Sequence, residues 1–298
     1  MKKILVTGSN GLLGSKLLQI GQARYEMAGL DIQPEPIRAN SSQRYFQGDI
    51  TRFDSLQNAV DQIQPDCLIN TAAFTNVDKC ETERDAAYAL NAAGAENCAV
   101  ICKEKGIKLI HVSTDYIFDG RNGPYSETDT PNPLSWYGKT KLKGEEAVTR
   151  ILSDAVIART MVLFGYGEGL RPNFITWLVD SLSSGKHVRI VDDQYGHATL
   201  ADDLARSLLT LFEKNVQGIY HTAGKGWMNR YELALLVAEV FDLDASLIQK
   251  TNSETFVQPA PRPMQSGLNT DKIEKETGFS FPDIRTSLLE MKKQMSGL

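Results

Sequence analysis

The chain has 298 residues, enough for one large α/β domain or a domain with a smaller lobe, and it needs no disulfide or metal to supply a core. Its 32 basic and 37 acidic residues leave a formal net charge of −5, and the lysines are scattered, which excludes a broad basic field for nucleic acid or an anionic membrane. The four cysteines (Cys67, Cys80, Cys98, Cys102) form no C-x-x-C pair and read as small buried residues of a reducing compartment. The four histidines (His111, His187, His197, His221) form no H-x-x-x-H pair, so no protein-held metal is expected. Lys2 and Lys3 precede only three apolar residues, and no run approaches the ~18 apolar residues of a membrane span, so the expected location is the cytoplasm.

In chain order, a β-branched run from Lys3 to Thr7 predicts the first strand, and "GSNGLLG" follows it with Gly8, Gly11 and Gly14 at every third position. A helix is predicted from Leu12, a strand over Ala28 to Ile32, and a helix from Phe53. "CLINTAA" predicts a strand over Cys67 to Ala72, followed by a helix from near Glu83 and a strand over Lys108 to Ser113. A helix from Trp136 and a strand over Ala155 to Thr160 complete the alternation. Nearly continuous apolar strands separated by helices predict a parallel sheet covered on both faces, with all carboxyl ends on one edge.

Beyond residue 160 the rhythm changes. "EGLRPNFITWLVDSLSSG" predicts a helix entered through Pro172, and "KHVRIVDDQYGHA" a strand and loop. "RYELALLVAEVFDL" predicts a strongly amphipathic helix, and the three prolines of "VQPAPRPMQSG" an ordered loop crossing the surface. The expected architecture is a Rossmann-type, doubly wound α/β fold. Residues 1–160 are its dinucleotide-binding core, and residues 161–298 are mainly a smaller, discontinuous substrate-binding lobe with some segments returning to the core.

Two constellations carry chemistry. The glycine turn before a helix gathers backbone N–H groups and the positive end of a helix dipole, which suits a pyrophosphate, although its spacing has one residue more than G-x-G-x-x-G. Asp31, 17 residues past Gly14, ends the next strand, where a carboxylate can accept hydrogen bonds from an adenosine ribose. The second constellation is Tyr137 and Lys141, at i and i+4 on one helix face; of the ten tyrosines only Tyr137 has a lysine four residues on. The fourth strand delivers Ser113, Thr114 and Asp115 to the same edge. An ammonium beside the phenol would favour phenolate and bring the tyrosine, ordinarily near ~10, closer to working pH.

Taken together, TGSNGLLG (7–14), GDIT (48–51), NTAAFTNVDKCE (70–81), STDYIFDG (113–120), YSETDTPNP (125–133), YGKTKLKGE (137–145), RTMVLFG (159–165), DQYGHAT (193–199) and APRPMQSGL (260–268) resemble the extended short-chain dehydrogenase/reductases, most closely the dTDP-4-dehydrorhamnose reductase family. The resemblance implies an NAD(H)- or NADP(H)-dependent reductase of a nucleotide-activated 4-keto-deoxysugar, working as a homodimer. It implies that Gly8, Gly11 and Gly14, with the backbone around Asn10, Leu12 and Leu13, cradle the pyrophosphate, and that Asp49 and Ile50 flank adenine. Thr71, Ala72, Ala73 and Thr75 would line the channel to the nicotinamide, with Ser113 at the strand end and Arg159 to Val162 on the far side. Tyr137 would be the general acid, Lys141 would bond the nicotinamide ribose, and Thr114 would bond the substrate oxygen.

Asp115, Val162 and Arg262 are the candidate substrate contacts. Val162 stands where the family typically has a tryptophan near the sugar, and Arg262 suits a substrate phosphate, with a solvated surface arginine as the other reading. Asp31 leans toward NAD over NADP. A nucleotide-sugar epimerase or dehydratase would share the same residues. So would a non-catalytic dinucleotide-binding subunit resembling the methionine adenosyltransferase β subunit.

Overall fold

The computed structural model describes residues 1–37, 43–256 and 258–297. Seven parallel strands form one sheet in the order β3-β2-β1-β4-β5-β6-β11, where β1 is Lys3–Thr7, β2 Glu26–Asp31, β3 Arg44–Gln47, β4 Cys67–Asn70, β5 Lys108–Thr114, β6 Val156–Thr160 and β11 Gly218–His221. The core helices are α1 (Leu12–Gly21), α2 (Phe53–Ile63), α3 (Val77–Thr82), α4 (Arg84–Tyr88), α5 (Gly94–Lys105) and α6 (Trp136–Ile151). Beyond β6 the chain also forms β7 (Leu163–Phe164), α7 (Phe174–Ser183), β8 (Val188–Val191), β9 (Tyr195–Gly196), β10 (Thr199–Leu200), α8 (Ala201–Glu213), β12 (Met228–Asn229), α9 (Arg230–Val240), β13 (Ile248–Thr251), α10 (Asp271–Thr277) and α11 (Ile284–Met295); α8 and α10 return to the sheet core, and the others build a smaller lobe.

Alternation along the strands builds two core layers. Ile4, Val6, Cys67 and Ile69 face α1 and α8, while Leu5 and Leu68 face α2 and α5. A third cluster, in the lobe, gathers Leu178 and Val179 of α7, Leu233 and Val237 of α9, and Leu288 and Met291 of α11. The four cysteines are free and buried.

The five expected strands are present, with β2 starting earlier, at Glu26, and β4 ending earlier, at Asn70. Two strands of the central sheet carried no sequence signal. β3 is an edge strand whose residues are only partly covered, and β11 is a four-residue run that pairs with β6. The helix expected from near Glu83 is a longer helical path, Val77–Lys105, broken at Glu83 and again by a π-turn over Ala89–Ala93. The π-turn turns Asn91 toward α6, where its amide donates to Thr140 Oγ1 at 3.1 Å. Helix α7 is entered at Phe174 through a capping box in which Asn173 and Thr176 bond each other's backbone N–H, with Pro172 just outside. Helix α9 is not strongly amphipathic as expected: Tyr231, Leu235 and Leu236, away from the buried stripe, also pack into the lobe core. The proline-rich segment is ordered over its described part, residues 258–268, while Val257 lies outside the described residues. It is more buried than expected, with Ala260 and Ser266 covered, and it pairs with the 120–125 loop through Gln265 N–H to Gly120 O (2.9 Å) and Gly123 N–H to Gln265 O (3.2 Å).

Two buried ion pairs fix the helices that matter most. Lys16 of α1 lies 3.1 Å from Asp202 of α8 and 2.7 Å from the Gln294 amide oxygen of α11. Glu145 of α6 takes Arg159 of β6 in a forked contact, Nη2 to Oε2 at 2.8 Å and Nε to Oε1 at 3.1 Å, with both side chains about 95% covered. Removing one partner of such a pair strands a charge in the interior. Glu145→Ala should therefore lower unfolding free energy by about 3–5 kcal/mol, whereas Glu145→Leu with Arg159→Met should recover most of it, as read by urea denaturation. Equal losses in the single and double variants would refute this account.

Candidate active site

The order of the strands reverses between β1 and β4, and the crevice at that switch receives the loops that carry chemistry. Contact distances build the turn after β1. Gly8 has φ of +70°, and a Cβ there would lie 2.8 Å from the Ala72 backbone; at Gly14 a Cβ would lie 2.3 Å from the Gly8 carbonyl oxygen. Only glycine lets α1 stand so close to the turn. Gly11 is the N-cap and brings no side-chain oxygen, so the amides of Leu12, Leu13 and Gly14 are left for an outside acceptor at the positive end of the helix. This cradle, which side chains would fill, fits a dinucleotide pyrophosphate.

Asn10 and Asp31 hold the rim. The Asp31 carboxylate accepts the Asn10 N–H at 2.9 Å. The Asn10 side chain does not face the cradle; it ties down the loop after β2, donating to Glu35 O at 2.9 Å and accepting from Ile37 N–H at 2.9 Å. Burial, helped by the Asp31 charge, pushes the Tyr45 phenol up to about 12. Asp49 caps its own turn by accepting Thr51 N–H at 2.8 Å, and the Ile50 side chain belongs to the core, packed against Gly94.

After β4 the chain turns at once, because buried Asn70 accepts both Thr7 Oγ1 (2.7 Å) and Ala72 N–H (3.2 Å). The Thr71 hydroxyl donates back to Thr7 O at 2.7 Å; Ala72 and Ala73 are half-buried and Thr75 is exposed. Asn91, which no sequence motif marked, accepts Phe74 N–H at 2.8 Å and so ties this wall to α6.

β5 delivers Ser113, whose buried hydroxyl has no partner among the described residues, and Thr114, whose hydroxyl donates to Asp115 Oδ1 at 3.1 Å. Helix α6 abuts the next turn: a Cβ on Gly138 would lie 2.1 Å from Tyr116 O. Tyr137 and Lys141 are therefore buried beside Thr114, with the Tyr116 ring edge-on to Tyr137 at 5.5 Å. Burial pushes the Tyr137 phenol well above its ordinary range, opposed by a hydrogen bond with Thr114. The expected lowering by Lys141 is not found, because its ammonium turns to Val112 O at 2.7 Å and desolvation dominates. Burial also lowers Lys141 to about 8, against the raising effect of Glu145. Asp115 is pushed up to about 6 by burial, against hydrogen bonds from Ser266 and Thr114 and the charge of Arg230.

From this point a cleft runs out between core and lobe, lined by Asp115, Tyr116, Val162, Tyr195, Arg230 and Ser266, among others. Val162 sits at φ +42°, a strained conformation for a β-branched residue, held by Thr199 N–H on its carbonyl at 3.0 Å. Arg262 does not line the cleft. Its guanidinium is engaged by Asp78 at 2.9 Å and by Ala260 O at 3.0 Å. The cation that faces the cleft is Arg230, which lies over the Phe174 ring at 5.4 Å and has no ion-pair partner among the described residues. Burial lowers its pKa, while the nearby Tyr116 and Asp115 act to raise it. Sequence reading missed Arg230. The N-R-Y-E capping box marks a helix start there, which Asn229 and Glu232 complete at 2.8 and 2.9 Å, but nothing in it shows which cleft the first turn faces.

The chain matches the model of the RmlD substrate binding domain over residues 1–296. It is 35% identical over 275 residues to a dTDP-4-dehydrorhamnose reductase of Mycobacterium tuberculosis, covering 90% of this chain and 85% of that one. It is also 31% identical over 281 residues to methionine adenosyltransferase 2 subunit beta of Danio rerio, covering 92% and 84%. Among solved structures, a dTDP-4-dehydrorhamnose reductase from Bacillus anthracis in complex with NADP superimposes with a TM-score of 0.89 at 29% identity, over 99% of this chain and 100% of that one. With the reversed strand order, the glycine cradle and the Thr114–Tyr137–Lys141 cluster in place, the chain belongs to the RmlD substrate binding domain family, within the extended short-chain dehydrogenase/reductases.

Proposed function

We propose that this chain reduces the 4-keto group of a nucleotide-activated deoxysugar with NADH or NADPH, residues 1–160 binding the dinucleotide and residues 161–298 mainly the sugar nucleotide. The carrying observation is that Thr114 and the buried Tyr137 stand next to Asp115 and Tyr116, which line a cleft that also presents Arg230, a cation with no ion-pair partner among the described residues. The reductase names of the relatives and the NADP complex support this reading.

When bound, the dihydronicotinamide supplies a hydride to the carbonyl carbon. Tyr137 gives its phenolic proton to the carbonyl oxygen, and its raised pKa keeps it protonated, the state a reduction needs. Thr114 donates a hydrogen bond to the same oxygen. Lys141, one turn along α6, bonds the nicotinamide ribose. Asp31 accepts from the adenosine ribose, and Arg230 binds the substrate diphosphate.

A dehydratase would need a further acid and base to expel water, and Asp115 is the one carboxylate among the residues found lining the cleft, which favours reduction. A non-catalytic subunit would bind the dinucleotide without oxidising it, so turnover separates the two readings. A homodimer is part of the proposal, as is a cytoplasmic location. Among the described residues no helix is long and apolar enough to cross a membrane.

The first test is oxidation of NADH and NADPH with dTDP-4-dehydrorhamnose. Wild type should turn over, and Tyr137→Phe should lose ~10³-fold in turnover with little change in dinucleotide binding. Arg230→Gln should raise KM for the sugar nucleotide about 10- to 100-fold and leave dinucleotide affinity alone. The lowered pKa of Lys141 gives a pH signature. Its ammonium is present below about 8 and lost above, so NADPH affinity should fall as pH rises through about 8. Lys141→Met should flatten that profile in a fluorescence titration. A wild-type profile that is flat across this range would remove the ammonium from the binding account.

A further inference from the structure

Val162 lines the cleft with a short aliphatic chain, pinned by its own backbone. Three aromatic residues in neighbouring motifs are candidates to replace a ring there, and the structure separates them. Phe118 and Phe164 are each 1% exposed; Phe118 is stacked on Tyr125 at 4.2 Å and Phe164 lies in the lobe core. Tyr195 alone of the three lines the cleft, beside Val162 and Arg230.

The Tyr195 backbone is tethered on several sides. Its N–H donates to Met264 O at 2.7 Å, its carbonyl accepts Ser266 N–H at 3.2 Å, and it pairs with Asn229 across β9 and β12. Its ring stacks on Trp227, with centroids 5.9 Å apart and planes 21° from parallel, and Trp227 in turn meets the edge of His197 at 5.6 Å. Gly267 makes room for that indole, since a Cβ there would lie 2.1 Å from the ring. Trp227 nonetheless stays 38% exposed, so the aromatic pair is braced from the protein side while remaining at the surface. Fixed aromatic rings of this kind lose little entropy when a ligand packs on them. The other phenol in the cleft, Tyr116, is already set edge-on against Tyr137.

Resting on the reductase reading, we propose that Tyr195, backed by Trp227, packs on the apolar C–H face of the substrate's deoxysugar ring and fills the part left open by Val162. The pair thereby selects for the sugar rather than for the nucleotide. An aromatic contact of this kind is worth a factor of about 5 to 10 in affinity.

The test compares binding of dTDP-rhamnose with that of dTDP, by calorimetry, in the presence of NADP. Wild type should bind the sugar nucleotide about 5- to 10-fold tighter than dTDP. Tyr195→Ala should abolish that advantage while leaving the Kd for dTDP within twofold; Tyr195→Phe should keep it, and Trp227→Leu should reduce it partway. Matching thermal melts for Tyr195→Phe and wild type guard against a folding artefact. An advantage that survives Tyr195→Ala, or an equal loss for both ligands, overturns the proposal. Turnover of dTDP-4-dehydrorhamnose by wild type with such an outcome leaves the reductase reading standing. A wild type that neither turns over nor distinguishes the two ligands overturns both.

Discussion

The site depends on how near α1 stands to the turn that follows β1. The Gly14 Cα is so close to the Gly8 carbonyl that no side chain fits between them, and this one contact sets several others. It brings the uncapped first turn of α1 to the sheet edge, and it places the Asn10 N–H on the Asp31 carboxylate. From there the Asn10 side chain fixes the loop as far as Ile37. On its far side α1 is held by Lys16, which reaches Asp202 and Gln294. The phosphate cradle is thus clamped between a backbone contact that excludes any Cβ and a buried ion pair. Helices α8 and α11 supply Asp202 and Gln294 to Lys16, so residues far along the chain shape a site near its beginning.

Burial decides the charge state of the reacting face. Desolvation raises Tyr137 and Asp115 and lowers Lys141, so each group is moved toward its neutral form. Below them the Glu145–Arg159 pair cancels its own charge inside α6 and β6. Lys141 and Arg230, whose pKa values burial lowers, are therefore the cations that gain most from an anion. Both expected ligands are polyanions, and their arrival raises the affinity of those two groups for protons. The cofactor and substrate complete the electrostatics that the fold leaves open.

Much of this was legible in the sequence. The alternation of apolar runs and helices gave the parallel sheet, because strands covered on both faces must be nearly continuous in apolar residues. Tyr137 and Lys141 could be paired because helical spacing is fixed by geometry, and the glycine turn because steric exclusion leaves only glycine. Other features were illegible for equally physical reasons. β3 and β11 are short runs whose strand state comes from their neighbours, not from their own pattern. The amide of Asn91 reaches its partners only through a π-turn, which no periodicity announces. Arg230 reads as an ordinary first-turn residue of α9. The charge effect of Lys141 on Tyr137 was misjudged because spacing shows that two side chains share a face but not where the ammonium points, and here a carbonyl on β5 claims it.

The contrast between Arg230 and Arg262 shows how the two walls of the cleft are joined. Arg262, on the proline-rich segment, reaches across to Asp78 on α3, and Ala260 N–H donates to the same carboxylate at 3.1 Å. Asp78 is 37% exposed, so the ion pair contributes no more than about 1 kcal/mol. A bond that weak cannot set the width of the cleft. The backbone pairing does: Gln265 with Gly120 and Gly123, Tyr125 N–H with Gly267 O at 2.7 Å, and Tyr195 with Met264 stitch the proline-rich segment to loops from both core and lobe. Gly120 and Gly123 permit that stitching, since a Cβ at either would lie 2.5 Å or less from the opposing backbone. Prolines remove N–H donors from one part of this segment, and the residues that follow them supply the N–H and C=O groups that bond across it. The sequence that excluded a helix or central strand there thus also determined which of its residues could close the site.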